Sequence, residues 1–254
     1  MFSTLVCLHG WGGSKESFTE LRAALKGSDL RIVTPDLPGF GGQPEPDRPW
    51  TVADYATWVA QYIRKNVHEP YALLGHSHGG RIAIKLAAQL PQSQSQSLLP
   101  APNHLYLCAP AGIYHPRHLK RTIGLVLAKT GDIVLSVPSV RAVRPHARKL
   151  LYKLLGVHDY EQASETMRKT LMNITQEDLR PLLPHIRIPT TIFWGEEDTM
   201  TPLSDGNLMH RQIAGSELHT YPGVRHRVHR DRAREIARHI HCAAGAPPCT
   251  MRAP

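Results

Sequence analysis

The chain alternates between short apolar runs rich in β-branched and aromatic residues and longer stretches with helical periodicity. This alternation is typical of parallel βα units, in which helices bury both faces of the sheet. The predicted strands span residues 4–8, 31–35, 71–75, 105–109, 190–194 and 217–221. The predicted helices between and after them span residues 14–25, 51–66, 78–89, 204–213 and 228–241. The sequence therefore predicts the α/β class, with one doubly wound, mainly parallel sheet.

One long segment interrupts this alternation. Between residues 112 and 188 no strand-like run compares with the others, whereas basic amphipathic stretches occur at 142–155 and 160–173. The segment begins after one predicted strand and ends before the next, so it leaves the sheet at the carboxyl end of the strands, where such sheets place their sites. We therefore predict a core made of residues 1–111 and 189–242, a helical cap or lid at 112–188 and a flexible tail at 243–254.

A Gly-x-Ser-x-Gly pattern lies directly after one predicted strand and directly before a helix, in the run Gly75-His76-Ser77-His78-Gly79. A tight strand-to-helix bend needs small residues on both sides of the serine and projects its hydroxyl above the sheet. The helix that begins at His78 adds its N-terminal dipole and a backbone N–H near any developing oxyanion. This pattern makes Ser77 a candidate nucleophile.

Three further segments lie at the ends of predicted strands. The run of residues 9–13, His-Gly-Trp-Gly-Gly, follows the first strand, and its glycines let the backbone curl and present N–H groups to an anion. An acidic turn at 196–198 follows the fifth strand, and its distance from the strand favours Asp198 among the three acids. The loop after the last strand carries His226 and His229, either of which has the neutral imidazole suited to proton transfer at neutral pH.

With these segments together, the chain resembles the α/β-hydrolase superfamily over nearly its whole length. The chain order Ser77, Asp198, His226 is the family's order of nucleophile, acid and base. The run at 9–12 is similar to a His-Gly-Trp-Gly variant found in small esterases of the family, and the run at 36–41 is similar to its Asp-x-Pro-Gly-x-Gly turn.

The resemblance implies that the backbone N–H groups of Trp11 and His78 form an oxyanion hole, while Asp198 orients and supports His226 as general base. The chain also departs from the family pattern. Arg225 stands where a small residue is usual before the base, which keeps His229 open as an alternative. Gln43 stands where a serine is common, and the first strand begins so early that the family's first two strands are expected to be absent.

The function that the resemblance implies is hydrolysis of a carboxylic ester or related acyl compound through an acyl-enzyme. Carbon–carbon, lactone or amide hydrolysis and perhydrolysis use the same triad and remain alternatives, as does a non-catalytic binding protein with this scaffold. Ser77 argues against dehalogenases and epoxide hydrolases, which share the fold but use an aspartate nucleophile. The triad chemistry needs no cofactor, and the four cysteines have no metal-ligand spacing, so neither a cofactor nor a metal is predicted.

A net charge of +9 would attract anionic partners, but the basic residues lack the aromatic interleaving of a nucleic-acid module. We expect a small acyl substrate and, if the basic cap recruits a partner, an acidic carrier or an anionic surface. The cap residues concerned are Arg117, His118, Lys120, Arg121, Arg141, Arg144, Arg148, Lys149 and Lys153. No apolar run reaches the length of a membrane-spanning helix, and unpaired cysteines in strand-like runs favour a reducing cytoplasm.

Overall fold

A computed structural model describes residues 1–89, 101–115 and 163–245. All six predicted strands are present and form one sheet in which every neighbouring pair is parallel. The strands are β1 (Thr4–Leu8), β2 (Arg31–Val33), β3 (Tyr71–His76), β4 (Leu105–Cys108), β5 (Thr190–Gly195) and β6 (Glu217–Tyr221). The order across the sheet is β2-β1-β3-β4-β5-β6, which confirms the predicted parallel α/β architecture.

The strand order reverses direction between β1 and β3. The chain leaves β1 toward β2 on one side, then crosses back to β3 and continues outward to β6. Loops that follow β1 and β3 therefore diverge at this point and leave a crevice at the carboxyl edge of the sheet, where ligands bind in open α/β folds. The glycine-rich run at 9–13 and Ser77 both lie at this crevice.

The helices within the described residues largely match the predicted ones. They are α1 (Thr19–Ala24), α2 (Val52–Asn66), α3 (His78–Ala88), α4 (Glu165–Gln176), α5 (Leu203–Gln212), α6 (Val228–Asp231) and α7 (Ala233–Ala244), with 3-10 turns at Lys15–Phe18 and Arg180–His185. Thr51 caps α2 through a reciprocal pair of hydrogen bonds with Asp54. The capping pattern in the sequence thus fixes where this helix begins.

Helices cover both faces of the sheet. Phe193 and Trp194 are neighbours on β5, so their side chains point to opposite faces. The Phe193 ring contacts His239 of α7 at a centroid distance of 5.3 Å, whereas the Trp194 ring packs against Gly206 of α5. Both β5 side chains are fully buried, and the predicted double winding is confirmed.

Several element boundaries differ from the prediction. Strand β2 ends at Val33 instead of continuing to Pro35, whose ring nitrogen carries no hydrogen to donate to a neighbouring strand. The first predicted helix begins as a 3-10 turn capped by Ser14 before it becomes α1. The last predicted helix is broken at Arg232, and α7 then extends through Ala244, two residues into the predicted tail, before Gly245 ends it with a φ of +79°.

The predicted division into core and cap stays a prediction, because residues 116–162 and the basic cap residues named above lie outside the described residues, as does the tail from 246. The described part of the segment 112–188 contains helix α4, which begins after its cap residue Ser164, and the 3-10 turn Arg180–His185. Thr170 of α4 accepts a hydrogen bond of 2.9 Å from the Trp50 backbone, and Met167 packs against Gly39. Helix α4 therefore lies against the loop that connects β2 to α2.

No helix in the described ranges is both long and apolar enough to cross a lipid bilayer.

Candidate active site

Ser77 occupies a strained turn between β3 and α3. Its φ of 52° and ψ of −112° are unusual for a residue with a side chain, and such strain persists where the surrounding structure holds it. Here its carbonyl accepts hydrogen bonds from the backbone of Ala111 (2.9 Å) and Arg81 (3.1 Å). Helix α3 can approach β1 this closely because residue 79 is glycine, since a Cβ there would overlap the carbonyl of Leu8. The predicted strand-to-helix bend is therefore present, with the Ser77 side chain partly exposed.

Asp198 and His226 form a direct pair although they lie on different loops. The Nδ1 atom of His226 donates to Oδ2 of Asp198 at 2.7 Å. Asp198 also accepts hydrogen bonds from the backbone N–H of Met200 (2.8 Å) and of Thr201 (3.0 Å) and from the Thr201 hydroxyl (2.8 Å). Burial acts to raise the pKa of Asp198, but the hydrogen bonds from His226 and Thr201 outweigh it and leave the pKa below its ordinary value. The carboxylate is thus ionised and oriented toward the imidazole.

The neighbouring candidates are placed differently. Glu196 and Glu197 are exposed, and Glu196 accepts a hydrogen bond from Thr220 instead. His229 is buried, with its ring tilted against that of His76 at a centroid distance of 3.8 Å and edge-on to Phe18 at 5.4 Å. Within the described residues, the geometry therefore pairs Asp198 with His226 and turns His229 away from it.

His76, which precedes Ser77 in the chain, binds the loop that carries His226. Its Nε2 donates to the backbone carbonyl of His226 at 3.0 Å, and the two rings pack at 4.9 Å. Burial, together with His229 and His226, lowers the pKa of His76 well below its usual range, so the ring stays neutral. Since His76 adjoins Ser77 in the chain, this contact brings the Ser77 turn and the His226 loop side by side.

The glycine-rich run after β1 lies against the same turn. A Cβ on Gly10 would come within 3.2 Å of the Ser77 Cβ, so the loop's backbone runs beside the serine. The buried ring of His9 connects this loop to the segment after β2. Its Nε2 accepts a hydrogen bond from the Leu37 N–H at 2.9 Å, and its Nδ1 donates to the Gly10 carbonyl at 2.8 Å. Burial lowers the pKa of His9, consistent with this neutral form. The glycine-rich run therefore lies directly beside Ser77.

The ring of His78 packs beside the glycine-rich run that follows β1. It is buried between the rings of Trp11 (5.7 Å) and Tyr55 (4.8 Å). Burial, followed by the charge of Arg81, lowers the pKa of His78 well below its usual range. Its backbone N–H lies in the first turn of α3, where N–H groups have no partner within the helix.

Two contributors were missed by sequence reasoning. Thr201 lies three residues after Asp198, a spacing that lets a hydroxyl return to the carboxylate, so the local pattern contained this signal. The contact between His76 and the His226 loop had no such signal, because the two residues are far apart in the sequence and meet only through the sheet order.

Comparisons with known proteins agree with this arrangement of the fold. The model of the alpha/beta hydrolase family matches residues 5–239. An uncharacterized hydrolase from Bacillus subtilis is 28% identical over 243 residues, covering 93% of this chain and 88% of the relative. A pimeloyl-[acyl-carrier protein] methyl ester esterase from Neisseria meningitidis is 27% identical over 216 residues, covering 83% of this chain and 81% of the relative.

Among solved structures, an esterase from Exiguobacterium antarcticum has the same fold. It superposes with a TM-score of 0.73 at 20% identity, and the match covers 96% of this chain and 92% of that one. Taken together with the parallel sheet and the family match over most of its length, these likenesses show that the chain belongs to the alpha/beta hydrolase family.

Proposed function

We propose that the protein hydrolyses a carboxylic ester, with Ser77 as nucleophile, His226 as general base and Asp198 as the acid that orients it. The observation that carries this proposal is the 2.7 Å hydrogen bond between His226 Nδ1 and Asp198 Oδ2 at the same sheet edge as the strained Ser77 turn. With Nδ1 bound to the carboxylate, Nε2 is the nitrogen left to accept a proton from a hydroxyl.

The reaction follows from these positions. The Ser77 oxygen attacks the ester carbonyl carbon while His226 Nε2 takes the hydroxyl proton, and the carbonyl electrons become an oxyanion facing the backbone N–H groups of Trp11 and His78. His226 then returns the proton to the departing alcohol, which leaves an acyl-enzyme. Water attacks the acyl carbon, gives a proton to His226, and the acid is released as the Ser77 hydroxyl re-forms. Asp198 stays ionised throughout and stabilises the imidazolium.

The acyl group is the finer part of the proposal. One relative is named as an esterase of a methyl ester carried on an acyl carrier protein, and this chain's charge of +9 suits an acidic carrier. A small acyl ester, either free or presented by such a carrier in the cytoplasm, is therefore the proposed substrate, with residues 112–188 as a cap over the site. Lactone, amide and carbon–carbon hydrolysis and perhydrolysis remain outcomes of a substrate panel.

Ser77→Ala tests the assignment. Turnover of a short p-nitrophenyl ester should fall by about 10³-fold or more, as triad substitutions do, and a fluorophosphonate probe should no longer label the protein. Ser28→Ala is the matched control, because Ser28 lies in the turn after α1 and, among the described residues, its hydroxyl bonds to the nearby Leu25 carbonyl. Equal turnover by Ser77→Ala and Ser28→Ala would refute the proposal.

A further inference from the structure

A second cluster of polar side chains lies on β6 and α7, away from Ser77. Glu217 and His219 alternate along β6 and so project from the same face of the sheet, and His239 of α7 packs over them. One carboxylate oxygen and one nitrogen from each histidine lie within 4.8 Å of one another. The ring centroids of His219 and His239 are 4.1 Å apart; His219 stacks on the buried ring of Phe193, and His239 contacts that ring edge-on.

The His219 ring has a polar atom that the surrounding protein does not satisfy. Its Nε2 is shielded from solvent and makes no hydrogen bond within the described residues. Oε2 of Glu217 lies 3.4 Å from it, but the two atoms do not have hydrogen-bond geometry. Buried nitrogens without a partner are uncommon in folded proteins, because losing hydration without a replacement bond costs free energy.

This spacing fits two ligands of one metal ion. With zinc bonds of 2.0–2.2 Å to nitrogen and oxygen, two ligand atoms at tetrahedral positions are separated by about 3.4 Å. The distance between Nε2 of His219 and Oε2 of Glu217 is 3.4 Å, which equals this expected separation. A pair of histidines and a carboxylate also forms a ligand set that zinc uses in proteins, with water at the fourth position. Glu217 is exposed, so the open side of the cluster can admit that water.

We propose that Glu217, His219 and His239 bind one zinc ion. The ion would join edge strand β6 to helix α7, and the chain between those elements carries His226. Binding would therefore close a loop around the segment 220–238, which restricts the unfolded chain in the way that a cross-link does. This inference does not depend on the proposed ester chemistry.

The test uses chelator-treated, untagged protein and measures thermal unfolding with and without Zn²⁺. Binding to the folded state at a concentration about a hundred times the dissociation constant should raise Tm by about 5 to 10 °C. The shift should disappear in His219→Gln and in Glu217→Gln. His68→Gln is the matched control, since His68 is an exposed histidine on the turn before β3, and it should retain the whole shift.

Co²⁺ provides a second measurement that needs neither activity nor a Tm change. Its visible absorption depends on coordination geometry, and a low-symmetry site of nitrogen and oxygen ligands should give intense bands in the wild type and in His68→Gln. Glu217→Gln changes an exposed side chain and should fold normally while losing those bands. The absence of a Zn²⁺ shift in the wild type, or an equal shift and spectrum in His219→Gln and Glu217→Gln, would overturn the zinc site.

Discussion

Replacing His229 by leucine should make the folded protein less sensitive to mild acid. His229 is buried against His76 and Phe18, and burial, reinforced by His226 and Arg230, lowers its pKa to about 3. In the unfolded chain the same imidazole has a pKa of about 6.5. Below pH 6.5 the unfolded state therefore binds a proton that the folded state does not, and folding stability falls until the pH reaches about 3.

The size of the effect follows from these two values. At pH 5 the unfolded imidazole is almost fully protonated and the folded one is neutral, so this group alone costs about 2 kcal/mol of stability relative to pH 7. His76 and His78 contribute in the same direction, because burial lowers both pKa values well below the usual range. The wild type should thus lose more stability between pH 7 and pH 5 than His229 alone accounts for.

Urea unfolding at pH 7 and pH 5 measures this loss. His229→Leu should lose about 2 kcal/mol less than the wild type over the same interval, whatever its stability at pH 7. Val228→Ala is the control, because Val228 is a fully buried neighbour whose truncation lowers stability without removing a titrating group. The same pH dependence in the wild type and His229→Leu would mean that His229 is protonated in the folded protein, and would refute the reasoning.

Three further predictions concern the proposed site. His226→Ala should reduce ester turnover nearly as far as Ser77→Ala, and the double variant should lose little more; an additive loss in steady-state assays would show that the two residues do not act together. Thr201→Val should lower kcat/KM about tenfold by removing the hydroxyl that donates to Asp198, while Thr201→Ser restores it; equal rates in both variants would exclude a positioning role. If the basic residues recruit an acidic carrier, kcat/KM for an anionic acyl ester should fall between low and moderate salt more steeply than for a neutral ester, and parallel curves would argue against recruitment.

The sequence by itself predicted the layout of the fold. The four central strands are buried on both faces and are nearly continuously apolar, whereas the connecting helices have a polar side, so each pattern can be recognised locally in the sequence. The Ser77 turn was predictable for a similar reason, since a sharp strand-to-helix bend requires glycines at fixed offsets. Some element ends were less predictable: the local capping pair Thr51 and Asp54 marked the start of α2, but nothing in the sequence indicated the backbone break at Arg232.

Only the tertiary structure decided which side chains meet. The sequence favoured Asp198 among three acids and His226 with His229 as the alternative, and the geometry pairs Asp198 with His226 while it buries His229. The contact of His76 with the His226 loop and the approach of His239 to β6 were likewise invisible in the sequence. Local propensities determine strands and helices, but the order of strands in the sheet brings distant loops together, and that order is set by packing of the whole core.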